Sequence, residues 1–473
     1  MICFKSAVEL AALIAAKELG VQEVLLAHLE QIDRVNPQVN AICTLAADQA
    51  MDKARKMDGL PANGRDPGPL FGLPIAIKDL NATKGIRTTY GSPIYKDFVP
   101  DFDELFVERL KAAGALVIGK TNTPEFGAGS QTFNPVFGVT RNPYNLDKTP
   151  GGSSGGAAAA LACGMIPLAD GTDLGGSVRN PASFNSVVGL RPSPGRVPRF
   201  PCDDAWGTMT VVGPMARSVR DVGLLLSVMA GEDPRDPVSF SSVDARFDDL
   251  AGGDFKRARL AWSRDLGQFV VERAVIDVLE GVLPQISDLG CTVEENHPDF
   301  AGAGDVFQTL RAEIFAASHH QDLAGHRDLI KDTVIWNVEQ GLKLTALDVS
   351  LAHQTRTDLF HRVRKFFENY DFLLLPVSQV TPFSVDVEWI EEIEGVKMES
   401  YIDWMKSCSL ITVTAHPSIS LPCGFTPDGL PVGIQIVGKY RGERELLQFA
   451  SVLEHHLGTL DNRLHAPPKV ARY

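Results

Sequence analysis

Two glycine-flanked serines stand 24 residues apart, and a lysine lies far upstream of both. They are Ser153 in GGSSGG, Ser177 in GTDLGGSVRNPA and Lys78 in GLPIAIKDL. A serine between glycines can present its hydroxyl while nearby backbone N–H groups stay free to bind an oxyanion. A lysine held in an apolar strand can lose its proton and act as a base. The three residues together read as a hydrolase that uses Ser–Ser–Lys in place of Ser–His–Asp.

Such residues need a rigid frame, and the hydrophobic pattern supplies one. Residues 5–58 read as helical: Ser6 and Glu9 form a capping box, and Leu10, Leu13, Ile14, then Leu25, Leu26, Leu29 and Ile32 recur at helical spacing. Asn36-Pro37 reads as a break between helices. A proline- and glycine-rich loop at 61–70 precedes a strand at 74–78, a helix at 103–113 and a strand at 115–119. The alternation continues through 166–169 and a helix at 219–230, the pattern of an α/β protein with a buried sheet. Residues 231–370 are more polar and mostly helical, with a strand at 259–262. FLLLP at 372–376 reads as a buried strand, and 386–405, with Trp389, Tyr401 and Trp404, as a lid or pocket wall. A hairpin at 417–437 turns at Pro427-Asp428-Gly429, and a helix at 443–456 follows. The expected organisation is a single domain: a catalytic core at about 63–230, a variable helical and lid region at about 231–405, and a hairpin and helix at 406–473.

The formal charge of −14 argues against a nucleic-acid-binding surface. Seven cysteines, an odd number with no C-x-x-C, favour neither a disulfide framework nor a zinc site and suit reduced thiols. The N-terminal stretch reads as a helix rather than a secretory signal, and the small-residue run at 157–162 is too short to span a bilayer. A soluble, cytoplasmic protein is expected, with no membrane or nucleic-acid partner. The N-terminal helices could pair two copies into a homodimer or cover the sheet.

Two other motif readings fail on mechanism. Residues 114–121, GALVIGKT, match a P-loop letter for letter, but 115–118 is an apolar strand where a phosphate loop is needed. Residues 151–155 match G-x-S-x-G, but a loop precedes them where a nucleophile elbow needs a strand. The downstream pairs His319-His320 and His455-His456 sit in polar helical stretches that do not complete a triad.

GGSSGG followed by AAAALACG, then GTDLGGSVRNPA, with GLPIAIKD upstream, resembles the amidase signature family. So do NPYNLDKTPGGSSGG, GKTNTPEFG, GPMARSVRD at 213–221 and GLPVGIQIVG at 429–438, in the family's order and over most of the chain. The resemblance implies a large central mixed β-sheet covered by helices on both faces. It implies Ser177 as nucleophile, Ser153 as bridging serine after a cis Gly152–Ser153 peptide, and Lys78 as base. The N–H groups of Leu174, Gly175, Gly176 and Ser177 would form the oxyanion hole, and Gly127, Ala128, Gly129 and Ser130 would line the acyl side. Neither a metal nor an organic cofactor is implied. Asp173 and Arg179 flank the nucleophile and suit a loop-ordering ion pair, the alternative being that Arg179 binds a substrate carboxylate; Ser154 would hydrogen-bond near the relay. Lys78 follows Ile75-Ala76-Ile77, an apolar stretch whose burial would lower a pKa that is otherwise about 10.4.

The shared core does not name the substrate, a small-molecule amide. Aromatic residues of the variable stretches, Trp206 among them, favour an aryl or other hydrophobic amide; carbamates and esters call for the same acyl transfer. The alternative is the glutaminase-like component of a tRNA-dependent amidotransferase.

Overall fold

The strands that hold the site belong to one mixed sheet of eleven. A computed structural model describes residues 1–60, 68–241, 246–251 and 253–472. In chain order the strands are β1 (Ile42–Leu45), β2 (Pro74–Lys78), β3 (Leu116–Thr121), β4 (Leu168–Asp173), β5 (Val188–Arg191), β6 (Val211–Ala216), β7 (Arg259–Trp262), β8 (Thr292–Glu295), β9 (Phe372–Pro376), β10 (Ser418–Phe425) and β11 (Pro431–Val437). Their order across the sheet is β1-β3-β2-β4-β6-β5-β10-β11-β9-β7-β8. Parallel pairing joins β3, β2 and β4 on one side and β9, β7 and β8 on the other, with antiparallel pairs between.

The inner strands carry near-continuous apolar runs because helices cover both faces. PIAIK of β2 and FLLLP of β9 are buried at every residue. Helix Gly155–Ala162 is also buried throughout, and its small residues let its backbone approach the sheet. A Cβ at Gly156 would lie 2.3 Å from the Asn122 amide nitrogen. One large apolar core joins the N-terminal helices, the sheet and helix Glu443–Leu460. A second lies beneath helices Ala303–His326, Ala346–Phe366 and Lys406–Val413.

The sequence reading needs correction at several elements. Residues 5–58 are not all helical: β1 lies between helices Val21–Val39 and Ala47–Asp58. Pro37 does not break the first of these but sits in its last turn. Asn36 manages the exit, its Oδ1 accepting from the amides of Ala41 and Ile42 at 2.8 and 2.9 Å. β8 is a second strand in the 231–370 stretch, which reads as having only one. Most of the 61–70 loop, residues 61–67, lies outside the described residues. Residues 116–121 of the P-loop look-alike form β3, and Lys120 is fully buried, with Nζ on Asn81 O and, at 2.9 Å, on Thr83 Oγ1.

Candidate active site

Lys78 closes β2 and has no exposed surface. The register Ala76↔Ala169 with β4 brings it level with the residues just before Asp173. Its Nζ lies 2.7 Å from Ser153 Oγ, 2.8 Å from Ser154 Oγ and 2.8 Å from Thr172 Oγ1. Its backbone N–H donates to Asp170 Oδ1 at 2.9 Å. Three hydroxyls surround the amine, and among the described residues no carboxylate bonds to it. Burial pushes its pKa down to about 7, against the raising pull of Asp170 and Asp173.

Ser153 and Ser154 end the loop that enters helix Gly155–Ala162, and the Gly152–Ser153 peptide is cis. Ser154 N donates to Ser177 O at 3.0 Å, which ties the two serine loops together. Ser177 follows the turn that leaves β4 and is half-buried. Gly176 has φ +114°, and a Cβ there would stand 2.5 Å from Cys408 Cβ. A Cβ at Gly175 would stand 2.9 Å from Phe307 Cζ. The Ser177 turn is therefore pressed between two helices that come from the variable and C-terminal segments.

Asp173 anchors this turn from below. It accepts from Arg179 Nε and Nη2 at 3.0 and 2.8 Å, and from the amides of Gly176 and Val178 at 3.0 and 3.1 Å. Burial alone would raise its pKa, but Arg179 and Arg191 hold it well below the usual carboxylate range. Arg179 also reaches Gln435 Oε1, Cys408 O and Thr412 Oγ1 and is fully buried, so every donor is engaged within the protein. Asp173 also uses the Gly176 amide, one of the four expected in the oxyanion hole. Those of Leu174, Gly175 and Ser177 make no hydrogen bond among the described residues.

The segment expected on the acyl side does reach Ser153. A Cβ at Gly127 would lie 3.5 Å from Ser153 Oγ. Ala128 O accepts from Lys331 Nζ at 3.0 Å, and a Cβ at Gly129 would stand 3.7 Å from that nitrogen. The Ser130 backbone lies 2.9 Å from where a Gly152 Cβ would be. Trp206 is 73% exposed, on a turn where its amide donates to Asp204 Oδ1. Phe307 packs against Gly175 in the Ser177 turn. Sequence reasoning missed Thr172, Asp170 and Lys331. A hydroxyl or carboxylate inside a strand carries no motif; only the parallel register beside Lys78 could have pointed to the first two.

Among the described residues no histidine contacts Ser153 or Ser177, and no group of three or more His, Cys, Asp or Glu is placed to hold a metal. All seven cysteines are free. No described helix is long and apolar enough to cross a membrane.

The sequence profile of the amidase family matches residues 23–447. The chain is 34% identical over 452 residues to an acylamidase of Rhodococcus erythropolis, covering 95% of this chain and 94% of that one. It is 33% identical over 469 residues to the A-type component of the glutamyl-tRNA(Gln) amidotransferase of Alkaliphilus metalliredigens, covering 93% and 94%. The structure of a bacterial aryl acylamidase of the amidase signature enzymes superposes with a TM-score of 0.92 at 29% identity, over 99% of both chains. With its sheet, its serine loops and these relatives, the chain belongs to the amidase family.

Proposed function

We propose that this protein hydrolyses small hydrophobic or aryl amides through an acyl-enzyme on Ser177, with Ser153 and Lys78 as a proton relay. As a family member it is an amidase acting on carbon–nitrogen bonds other than peptide bonds. The observation that carries the relay is the setting of Lys78: an amine with no exposed surface, 2.7 Å from Ser153 Oγ and without an ion-pair partner among the described residues. With its pKa at about 7, roughly half of it is neutral at pH 7 and able to accept a proton.

In this reading neutral Lys78 takes the proton of Ser153 as Ser153 takes that of Ser177. Ser177 Oγ attacks the carbonyl carbon, and the amides of Leu174, Gly175 and Ser177 receive the oxyanion, each donor worth about 3–4 kcal/mol in comparable sites. The relay then reverses and protonates the leaving nitrogen, without which an amine leaves poorly. Water repeats the cycle on the acyl-enzyme, giving R-COOH and H₂N-R′ from R-CO-NHR′ and water. Carbamates and activated esters suit the same steps. Free thiols throughout fit a reducing, cytoplasmic setting.

The near-equal identity to an amidotransferase component keeps a second reading: release of ammonia from glutamine beside a partner protein. The deciding experiment is release of 4-nitroaniline from acyl-4-nitroanilides by wild type and by Ser177→Ala. Turnover that disappears in the variant supports the assignment, and turnover that survives removes it. Glutamine-dependent ammonia release with no anilide turnover would favour the second reading.

A further inference from the structure

A narrow crevice opens beside the 127–131 segment, walled by Ser130, Gln131, Lys331, Thr333, Tyr401 and Trp404. It collects buried polar atoms without partners. Gln131 Oε1, Thr333 Oγ1 and Trp404 Nε1 make no hydrogen bond among the described residues. Arg311, behind Tyr401 and only 4% exposed, leaves its Nε unpaired as well. Buried polar atoms are nearly always satisfied, so several in one place call for a partner. The crevice as it stands is too narrow for a water molecule.

The free valences are mostly donors. Tyr401 Oη accepts from Arg311 Nη2 at 2.6 Å and from Asn337 Nδ2, which leaves its own proton without an acceptor among the described residues. Trp404 Nε1–H and Arg311 Nε–H are donors only. Lys331 Nζ gives one hydrogen to Ala128 O and lies 3.5 Å from Glu388, a carboxylate at the exposed rim. Arg311 has no carboxylate partner among the described residues; its neighbours are the rings of Phe315 and Tyr401. Glu125 accepts the Lys331 backbone N–H, and burial favours its neutral form. The crevice is thus donor-rich, backed by two cations and walled by aromatic rings.

It also adjoins the reacting centre from two sides. Ser130 packs on Gly152, next to Ser153. Phe307, which touches Gly175, lies one helical turn from Arg311 on the same face of helix Ala303–His326. We propose that the crevice is a specificity subsite that selects amides whose acyl chain ends in a carboxylate, received by the Tyr401 hydroxyl and the Trp404 indole N–H in the field of Arg311 and Lys331. A ligand enters by displacing the Glu388–Trp389 side of the crevice. The proposal rests on the hydrolytic reading of Ser177 for its place in catalysis, though not for binding.

The test compares half-anilides of succinic, glutaric and adipic acid with their methyl-terminated isosteres. Wild type should prefer at least one carboxylate-ended substrate by about tenfold or more in kcat/KM, as expected where a site is built around a substrate's polar group. Tyr401→Phe, which removes one oxygen, should cut that preference to within about twofold while turnover of the methyl series holds; Arg311→Met should do the same, with Arg311→Lys intermediate. Equilibrium dialysis of the same compounds against Ser177→Ala reads the preference without turnover. If wild type cleaves no anilide, the hydrolytic reading falls while dialysis still decides the subsite. Equal binding and turnover of both series, or a preference untouched by Tyr401→Phe and Arg311→Met, would overturn the proposal.

Discussion

Replacing Lys78 by methionine should separate its protonation state from its hydrogen bonds. The lysine is completely buried, and burial lowers its pKa from 10.5 to about 7. In the unfolded chain it keeps its proton up to about 10.4. Between these values the unfolded state holds one more proton than the folded state, so stability rises with pH by about 1.4 kcal/mol per unit. The cost of burying the amine is fully present below pH 7 and fades towards pH 10.5. From pH 7 to pH 9 the wild type should therefore gain about 2 kcal/mol that Lys78→Met does not gain, the slope being about half its full value at pH 7, where the folded amine is half protonated. The variant also loses the contacts to Ser153, Ser154 and Thr172, but that loss adds a term that does not vary between pH 7 and 9. Urea unfolding of both proteins at pH 7, 8 and 9 gives the difference directly. A slope near 1.4 kcal/mol per unit means a lysine that is neutral in the fold over this range. A difference that does not change with pH means a lysine that stays charged, and the base in the relay would have to be sought elsewhere.

Further outcomes follow from the same geometry. In wild type kcat/KM should rise about tenfold per pH unit below about 7 and level off above it, as Lys78 loses its proton; a profile flat from pH 5 to 8 contradicts the relay. Ser153→Ala should lower amide turnover by about 10²–10⁴-fold and ester turnover less, because only the amine needs the returned proton; the ratio of the two rates reads this. Asp173→Asn leaves Arg179 and Arg191 without their buried counter-ion and should cost about 3–5 kcal/mol, seen as a lower thermal midpoint together with lost activity. Gly176→Ala forces a Cβ onto Cys408 at positive φ and should lower kcat at least about tenfold with KM much less changed, since the displaced group is the oxyanion turn.

Lys78, Ser153 and Ser177 stand out in the sequence because each sits in a chemically unusual setting: serines between glycines, and a lysine ending an apolar strand. Burial of 75–77 is readable from Ile75-Ala76-Ile77, and burial is what tunes the amine. The strands at 259–262 and 372–376 are legible from apolar runs ended by turn or polar residues. β1 is not, because four residues between two strong helical patterns carry no period of their own. Pro37 misleads because a proline in a last turn costs little where Asn36 satisfies the departing backbone. Thr172 and the crevice donors depend on pairings between segments far apart in sequence. Tyr401 and Arg311 are 90 residues apart.

The position of β10 and β11 has a consequence for the chain as it leaves the ribosome. The last two strands lie in the middle of the sheet, between β5 and β9. Until about residue 437 is available, β5 and β9 lack the strands that pair with their facing edges, and unpaired edges invite wrong partners. Arg179, which braces the Ser177 turn through Asp173, donates its remaining hydrogen bonds to Cys408 O, Thr412 Oγ1 and Gln435 Oε1, all in this late-arriving part. An unfinished chain thus carries the Ser177 turn without the acceptors that hold Arg179 beneath it.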